Sequence, residues 1–209
     1  MIKTLDYNIK ENETGTKGPL MLMIHGYGAN KNDLFGLKNY FPDNFEVISL
    51  QAPFELLQGG RHWYNIEWVG DDKVINNTEA ISSKQLIVDY LNQIDRDKYS
   101  KIILLGFSQG AILSHAISLE FPKLVDITIA FSGYIDESIF NYSSNISNVE
   151  IFMTHGLFDE VIEVDYAKKS SEILNSKNVN HFFKIYPLAH SIDENIISDL
   201  LTWIDDKIK

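Results

Sequence analysis

Short stretches of this chain are apolar almost without interruption, and polar or glycine-bearing segments separate them. They are Leu20–Ile24 (LMLMI), Val47–Leu50, Ile102–Leu105 (IILL), Ile127–Phe131, Glu150–Thr154 and Phe182–Tyr186. A run of four to six apolar residues with no alternation predicts a strand covered on both faces. Asp6–Lys10 reads as a short edge strand, and the polar stretch Glu11–Gly18 after it reads as a turn. Helical spacing fills the gaps. In Ser83–Asp95 the apolar positions Leu86, Ile87, Tyr90, Leu91 and Ile94 recur every three or four residues. Gly110–Phe121 is largely apolar and stops before Pro122, where a helix is sterically discouraged. Tyr166–Asn175 and Ile192–Lys207 complete the helices; the last carries one stripe through Ile196, Ile197, Leu200, Leu201 and Ile204.

Apolar strands alternating with helices predict an α/β fold, a mostly parallel central sheet with helices on both faces. Ligands bind such sheets at the carboxyl ends of the strands. Chemistry is therefore expected in His25–Asn30, Gly106–Gly110, Ser132–Gly133, His155–Asp159 and Pro187–His190. The chain between Val47 and Ser83 is too long for a plain connection, so part of it is expected to cover the site.

One of those strand ends reads Gly106-Phe107-Ser108-Gln109-Gly110, a G-x-S-x-G pattern between strand and helix. Such a turn is crowded two residues before and two after the serine, and glycine relieves the crowding. The arrangement lifts Ser108 clear of the sheet as a nucleophile. The Gln109 N–H, at a helix start, is then available to a developing oxyanion. A serine nucleophile needs a base and an orienting acid, which follow it in the order acid then histidine in this kind of fold. His115 lies in the helix after the elbow, and His181 begins a strand at its wrong end. His155 opens a turn ahead of the candidate acid; packing or hydrogen bonding is the preferred reading for it and for His115. His190 follows a strand and precedes the last helix, where a base should stand. Asp159 follows the strand Glu150–Thr154 and is favoured as the acid over Glu160 next door. His25-Gly26-Tyr27-Gly28 supplies a second main-chain donor at Tyr27. His25, His155, Asp159 and His190 show no recognisable metal-ligand spacing, so no metal and no cofactor is expected.

The 209 residues suit one domain, 1–209. A net charge of -11 repels phosphate backbones and anionic membranes, which argues against nucleic acid as a partner. There are no cysteines, so thiolate chemistry and disulfides are excluded. No secretory leader and no membrane-length apolar run is evident, and a soluble, cytoplasmic monomer or homodimer without integral membrane association is expected.

The stretches MIHGYGAN, SLQAPFELLQGGRHWYNI, ILLGFSQGAILS, IAFSGY, IFMTHGLFDEVI and YPLAHSI together resemble the phospholipase/carboxylesterase family of α/β-hydrolases, which includes acyl-protein thioesterases and small carboxylesterases. The resemblance runs through nearly the whole chain. It implies an α/β-hydrolase fold without a large lid domain and a serine esterase acting on a small-molecule or lipid acyl ester, with thioesters or lysophospholipids as further substrates. Carried over, the nucleophile falls on Ser108, the acid on Asp159, the base on His190 and the oxyanion donors on the main chain of Tyr27 and Gln109. The family's segment matching Gly59–Val69 lies near the acyl pocket, which points to Trp63 and Tyr64, with Trp68, Leu56 and Leu57 in the same cover; packing into the core is the other reading for Trp63. Two departures stand out: Ala189 occupies the place of the family's usual glycine before the base, and Asn30 follows Ala29 where an aspartate is common. A noncatalytic binding protein on the same scaffold and an amide or peptide hydrolase are the alternatives.

Overall fold

A computed structural model describes residues 5–57, 59–69 and 72–208; for residues 68, 69, 72 and 73 it describes the backbone alone. The central sheet has seven strands: β1 (Tyr7–Lys10), β2 (Leu20–Ile24), β3 (Glu46–Leu50), β8 (Ile102–Phe107), β9 (Ile127–Phe131), β10 (Glu150–Gly156) and β11 (Asn180–Tyr186). Four shorter strands form two hairpins, β4 (Phe54–Glu55) with β5 (Arg61–His62) and β6 (Ile66–Val69) with β7 (Asp72–Ile75). The order across the main sheet is β1-β3-β2-β8-β9-β10-β11, parallel throughout except for β1 at the edge.

The unbroken apolar runs have their explanation in this sheet. Leu20, Leu22 and Ile24 of β2 enter one core, and Met21 and Met23 enter the other. Ile102 and Leu104 of β8 divide from Ile103 and Leu105 in the same way. The first core is closed by α1 (Asn77–Leu91), α2 (Gln109–Glu120) and α3 (Val164–Ser176). The second is closed by α4 (Glu194–Asp205) and by the residues around the 3-10 segment Leu34–Tyr40. Successive strand residues point to opposite faces, so a strand buried on both has no polar position to alternate with.

Several boundaries differ from the sequence expectation. β8 and β10 run on through Phe107 and Gly156, which places His155 inside a strand rather than after one. The helix expected over Ser83–Asp95 begins six residues earlier. Asn76 caps it, its side chain accepting the Glu79 N–H at 3.1 Å. Asp193 caps α4 by accepting from Ile196 N at 2.9 Å. The chain between Val47 and Ser83, part of which is expected to cover the site, carries after β3 the two hairpins and the start of α1 among its described residues.

α2 is unlike the other helices, because every residue from Gln109 to Leu119 is buried. At its start, a Cβ on Gly110 would overlap the carbonyl of Ile24, and one on Gly106 would overlap the Gly110 carbonyl. Both partners are backbone and cannot yield. Gly110→Ala should therefore cost about 3 kcal/mol or more of stability, whereas Gly36→Ala, with nothing near its Cβ, should stay within about 0.5 kcal/mol of the parent. Urea denaturation of the two variants tests the contrast. Further along α2, both ring nitrogens of His115 are buried without a hydrogen-bond partner among the described residues. Burial lowers its pKa from 6.5 to about 4. The folded pKa is depressed, so the unfolded chain takes up this proton first. The stabilisation is complete above pH 6.5 and is lost on acidification toward pH 4, at about 1.4 kcal/mol per pH unit. The expected outcome is that His115→Leu flattens the pH dependence of stability in this window, read from denaturation midpoints.

Candidate active site

Ser108 joins β8 to α2 at φ 54 and ψ −117, a conformation that side chains rarely adopt. The surroundings hold it there. Its N–H donates to the Phe131 carbonyl at 2.9 Å, and its own carbonyl accepts from Ile112 N at 3.1 Å. Gly106 and Gly110 pack backbone on backbone beneath it. This is the sharp strand-to-helix turn that the spacing of the two glycines predicts.

The loop 25–28 lies against this turn. A Cβ on Gly26 would stand 3.3 Å from Ser108 Cβ and 3.1 Å from the Phe107 ring, so glycine lets the loop come this close. Two main-chain bonds tie the loop to β5, Gly28 N to Arg61 O and Arg61 N to Ala29 O, both at 2.8 Å. Gln109 begins its helix, so its N–H has no partner inside it. Tyr27, Ser108 and Gln109 line one groove of about 1110 Å³ together with His190.

Asp159 and His190 arrive on two loops that are bonded to each other. Leu157 N donates to Tyr186 O at 2.7 Å, and Phe158 N donates to Leu188 O at 2.9 Å. Gly156 allows the contact, because a Cβ there would overlap the carbonyls of Leu188 and Ala189. Ala189 itself is not among the residues with positive φ, so the backbone here does not call for glycine. His190 Nδ1 lies 2.7 Å from Asp159 Oδ2. The other oxygen, Oδ1, accepts the N–H groups of Val161 and Ile162, each at 2.9 Å. Glu160, the sequence alternative, is exposed and lines the groove. The Phe107 ring packs on the His190 ring with centroids 4.8 Å apart. The Ser108 hydroxyl and the His190 ring share the groove, and no direct hydrogen bond joins them among the described contacts. Contacts of this kind often tighten only when substrate is bound.

The aromatic segment separates into two roles. Tyr64 lines the groove. Trp63 is fully buried and is not among the lining residues, so the pocket position expected for it is revised to packing. Its indole Nε1–H donates to the His25 carbonyl at 2.9 Å. The Trp68 side chain lies outside the described part of the molecule. Ile66 and Ile75 of the second hairpin, Ile112, Tyr134, Ile162 and Tyr166 also line the groove, none of them singled out from sequence. Their signal is tertiary, since they come together from a hairpin, two helices and separate loops.

Three further residues support the site without lining it or by a second route. His25 donates from Nδ1 to Gly26 O at 2.7 Å and accepts the Ala52 N–H at Nε2, 3.2 Å away. Burial lowers its pKa to about 4, which keeps this ring neutral and the pattern intact. The Gln109 side chain bonds the cover twice, accepting from Trp63 N at 3.1 Å and donating to Tyr64 O at 2.7 Å. His155 Nε2 stands 2.8 Å from Ile162 O and 3.2 Å from Asp159 Oδ2. Among the described residues no group of three or more His, Asp or Glu is placed to hold a metal ion.

Comparison with known proteins agrees with the geometry. A family model described as phospholipase/carboxylesterase matches residues 7–208. Acyl-protein thioesterase 1 of Debaryomyces hansenii is 33% identical over 82% of this chain and 77% of its own. Acyl-protein thioesterase 1 of Candida albicans is 32% identical over 70% and 69% of the two chains. Among solved structures, the Bacillus cereus carboxylesterase superposes with a TM-score of 0.84 at 16% identity, covering 98% of this chain and 95% of its own. Zea mays acyl-protein thioesterase 2 gives a TM-score of 0.79 at 18% identity, covering 98% and 99%. The fold is that of the α/β-hydrolases.

The pair of hydrogen bonds from the Gln109 side chain to the cover has a measurable consequence. Gln109→Met keeps the volume and leaves a buried N–H and a buried C=O unpaired. Each such group costs about 1–3 kcal/mol. The expected loss of stability is thus about 2 kcal/mol or more by urea denaturation; a loss below about 0.5 kcal/mol would show that the two groups find other partners.

Proposed function

The chain belongs to the phospholipase/carboxylesterase family of α/β-hydrolases, and from that premise we propose that it is a serine hydrolase of carboxylic esters and thioesters, with Ser108 as nucleophile, His190 as base and Asp159 as orienting acid. The observation that carries the reading is the 2.7 Å contact from Asp159 Oδ2 to His190 Nδ1, beside a serine held at positive φ in the same groove. A carboxylate can only accept, so it holds the proton on Nδ1 and leaves Nε2 as the base.

Ser108 Oγ attacks the acyl carbonyl while His190 Nε2 removes its proton. The tetrahedral oxyanion is met by the main-chain N–H groups of Tyr27 and Gln109. His190 then protonates the departing alcohol or thiol, and water clears the acyl-enzyme by the same route in reverse. Asp159 stays ionised and stabilises the transient imidazolium. The acyl group of a small-molecule or lipid substrate takes the apolar wall of Tyr64, Ile66, Ile75 and Ile112. The thioester arm is supported by relatives named as acyl-protein thioesterases.

The test is hydrolysis of p-nitrophenyl esters of graded acyl length and of matched thioesters. Each methylene buried in the groove contributes at most about 0.8 kcal/mol, so kcat/KM should climb by up to about fourfold per carbon and then level off. Ser108→Ala should fold normally, lose about 10³-fold or more in kcat and fail to react with a fluorophosphonate probe. Asp159→Asn should lose up to about 10⁴-fold by favouring the wrong tautomer. A Ser108→Ala protein within a few-fold of the parent would sink the assignment.

A further inference from the structure

His155 is used by none of these steps, yet it touches the acid directly. It lies in β10 with its side chain wholly buried, as is that of Asp159. Its Nε2 is within reach of two atoms, the Ile162 carbonyl at 2.8 Å and Asp159 Oδ2 at 3.2 Å. Both can only accept, so Nε2 carries the proton and donates to the pair of them. Burial disfavours the charged ring, in keeping with a neutral donor.

We infer that His155 is a positioning residue for the acid: its Nε2–H holds the Asp159 carboxylate in place and aimed at His190. This rests on the proposed roles of Asp159 and His190. The carboxylate is fully buried and has no solvent to sustain its charge, so protein donors must do so. Val161 and Ile162 N–H serve Oδ1, and His190 serves Oδ2. Without His155, Oδ2 would keep a single donor, and that donor is the group whose proton position must not vary. The bond to Ile162 O alone would staple the loop 156–162. The bond to Oδ2 is what extends the role from the loop to the chemistry.

The experiment compares His155→Leu, which fills the space without a donor, with His155→Gln, whose amide N–H approximates the position of Nε2. Turnover of p-nitrophenyl butyrate, melting temperature and the low-field proton NMR signal of His190 Nδ1–H are measured on both. For His155→Leu the expected loss in kcat is about 10- to 100-fold, the range of a hydrogen bond to a charged group, with KM within about threefold. The low-field signal shifts or broadens. His155→Gln should recover most of kcat and the parent signal. The inference is overturned if the two variants behave alike, or if kcat follows the folded fraction while the signal stays unchanged. If His155→Leu does not fold, His155→Met makes the same comparison. The NMR signal reports the Asp159–His190 bond without turnover. A parent protein that neither hydrolyses esters nor reacts with fluorophosphonate therefore counts against the proposed function, and the signal in the variants still decides the role of His155.

Discussion

The start of α2 rests on the end of β2 with no side chain between them, and most of the site follows from that contact. Gly110 meets the carbonyl of Ile24, and Gly26 meets Phe107 and Ser108. Two strands adjacent in the sheet, β2 and β8, therefore end in loops that touch. One loop carries Ser108 and the other carries Tyr27, and both line the groove. A helix set even one methyl group further out would separate them. Close packing of this kind leaves no slack to absorb the difference, which is why the glycines sit where backbone meets backbone.

The cover depends on the same contact. Trp63 reaches the His25 carbonyl, Gln109 holds the main chain of Trp63 and Tyr64, and Ser83 Oγ donates to the Trp63 carbonyl. The segment that walls the groove is thus fastened to the elbow by polar bonds in a dry setting, where each unmade bond is costly. The loops bearing Asp159 and His190 are fastened to each other by main-chain hydrogen bonds, and the Phe107 ring of the elbow packs on His190. The groove is assembled from two parts, the elbow with its cover and the paired loops of Asp159 and His190.

Much of this was legible in the sequence. The strands of the central sheet were readable because burial on both faces removes alternation. The positions of Ser108, Asp159 and His190 near the carboxyl ends of strands were readable because each follows an apolar run. Other features depend on contacts between distant residues and leave no local trace. The strands of the cover's hairpins are two to four residues long, below the length at which periodicity carries a signal. The early start of α1 was signalled by Asn76 and Glu79, three apart, but the polar first turn hid it. Trp63 gave no hint of its side, since a tryptophan serves a pocket wall and a core equally well. His155 looked like a packing residue, and only the turn of the chain at residues 156–162 brings it to Asp159.

The burial of α2 on every side has a dynamic consequence. A helix with one wet face can fray or detach while the rest of a domain persists, but α2 has no such face. Opening it means parting it from β8, β9 and α1 at once, which amounts to unfolding the molecule. Amide hydrogens of residues 113–119 should then exchange with solvent only through global unfolding, and their protection reports the full folding free energy. The proposed nucleophile thus stands at the start of a helix that has no wet face from which to fray.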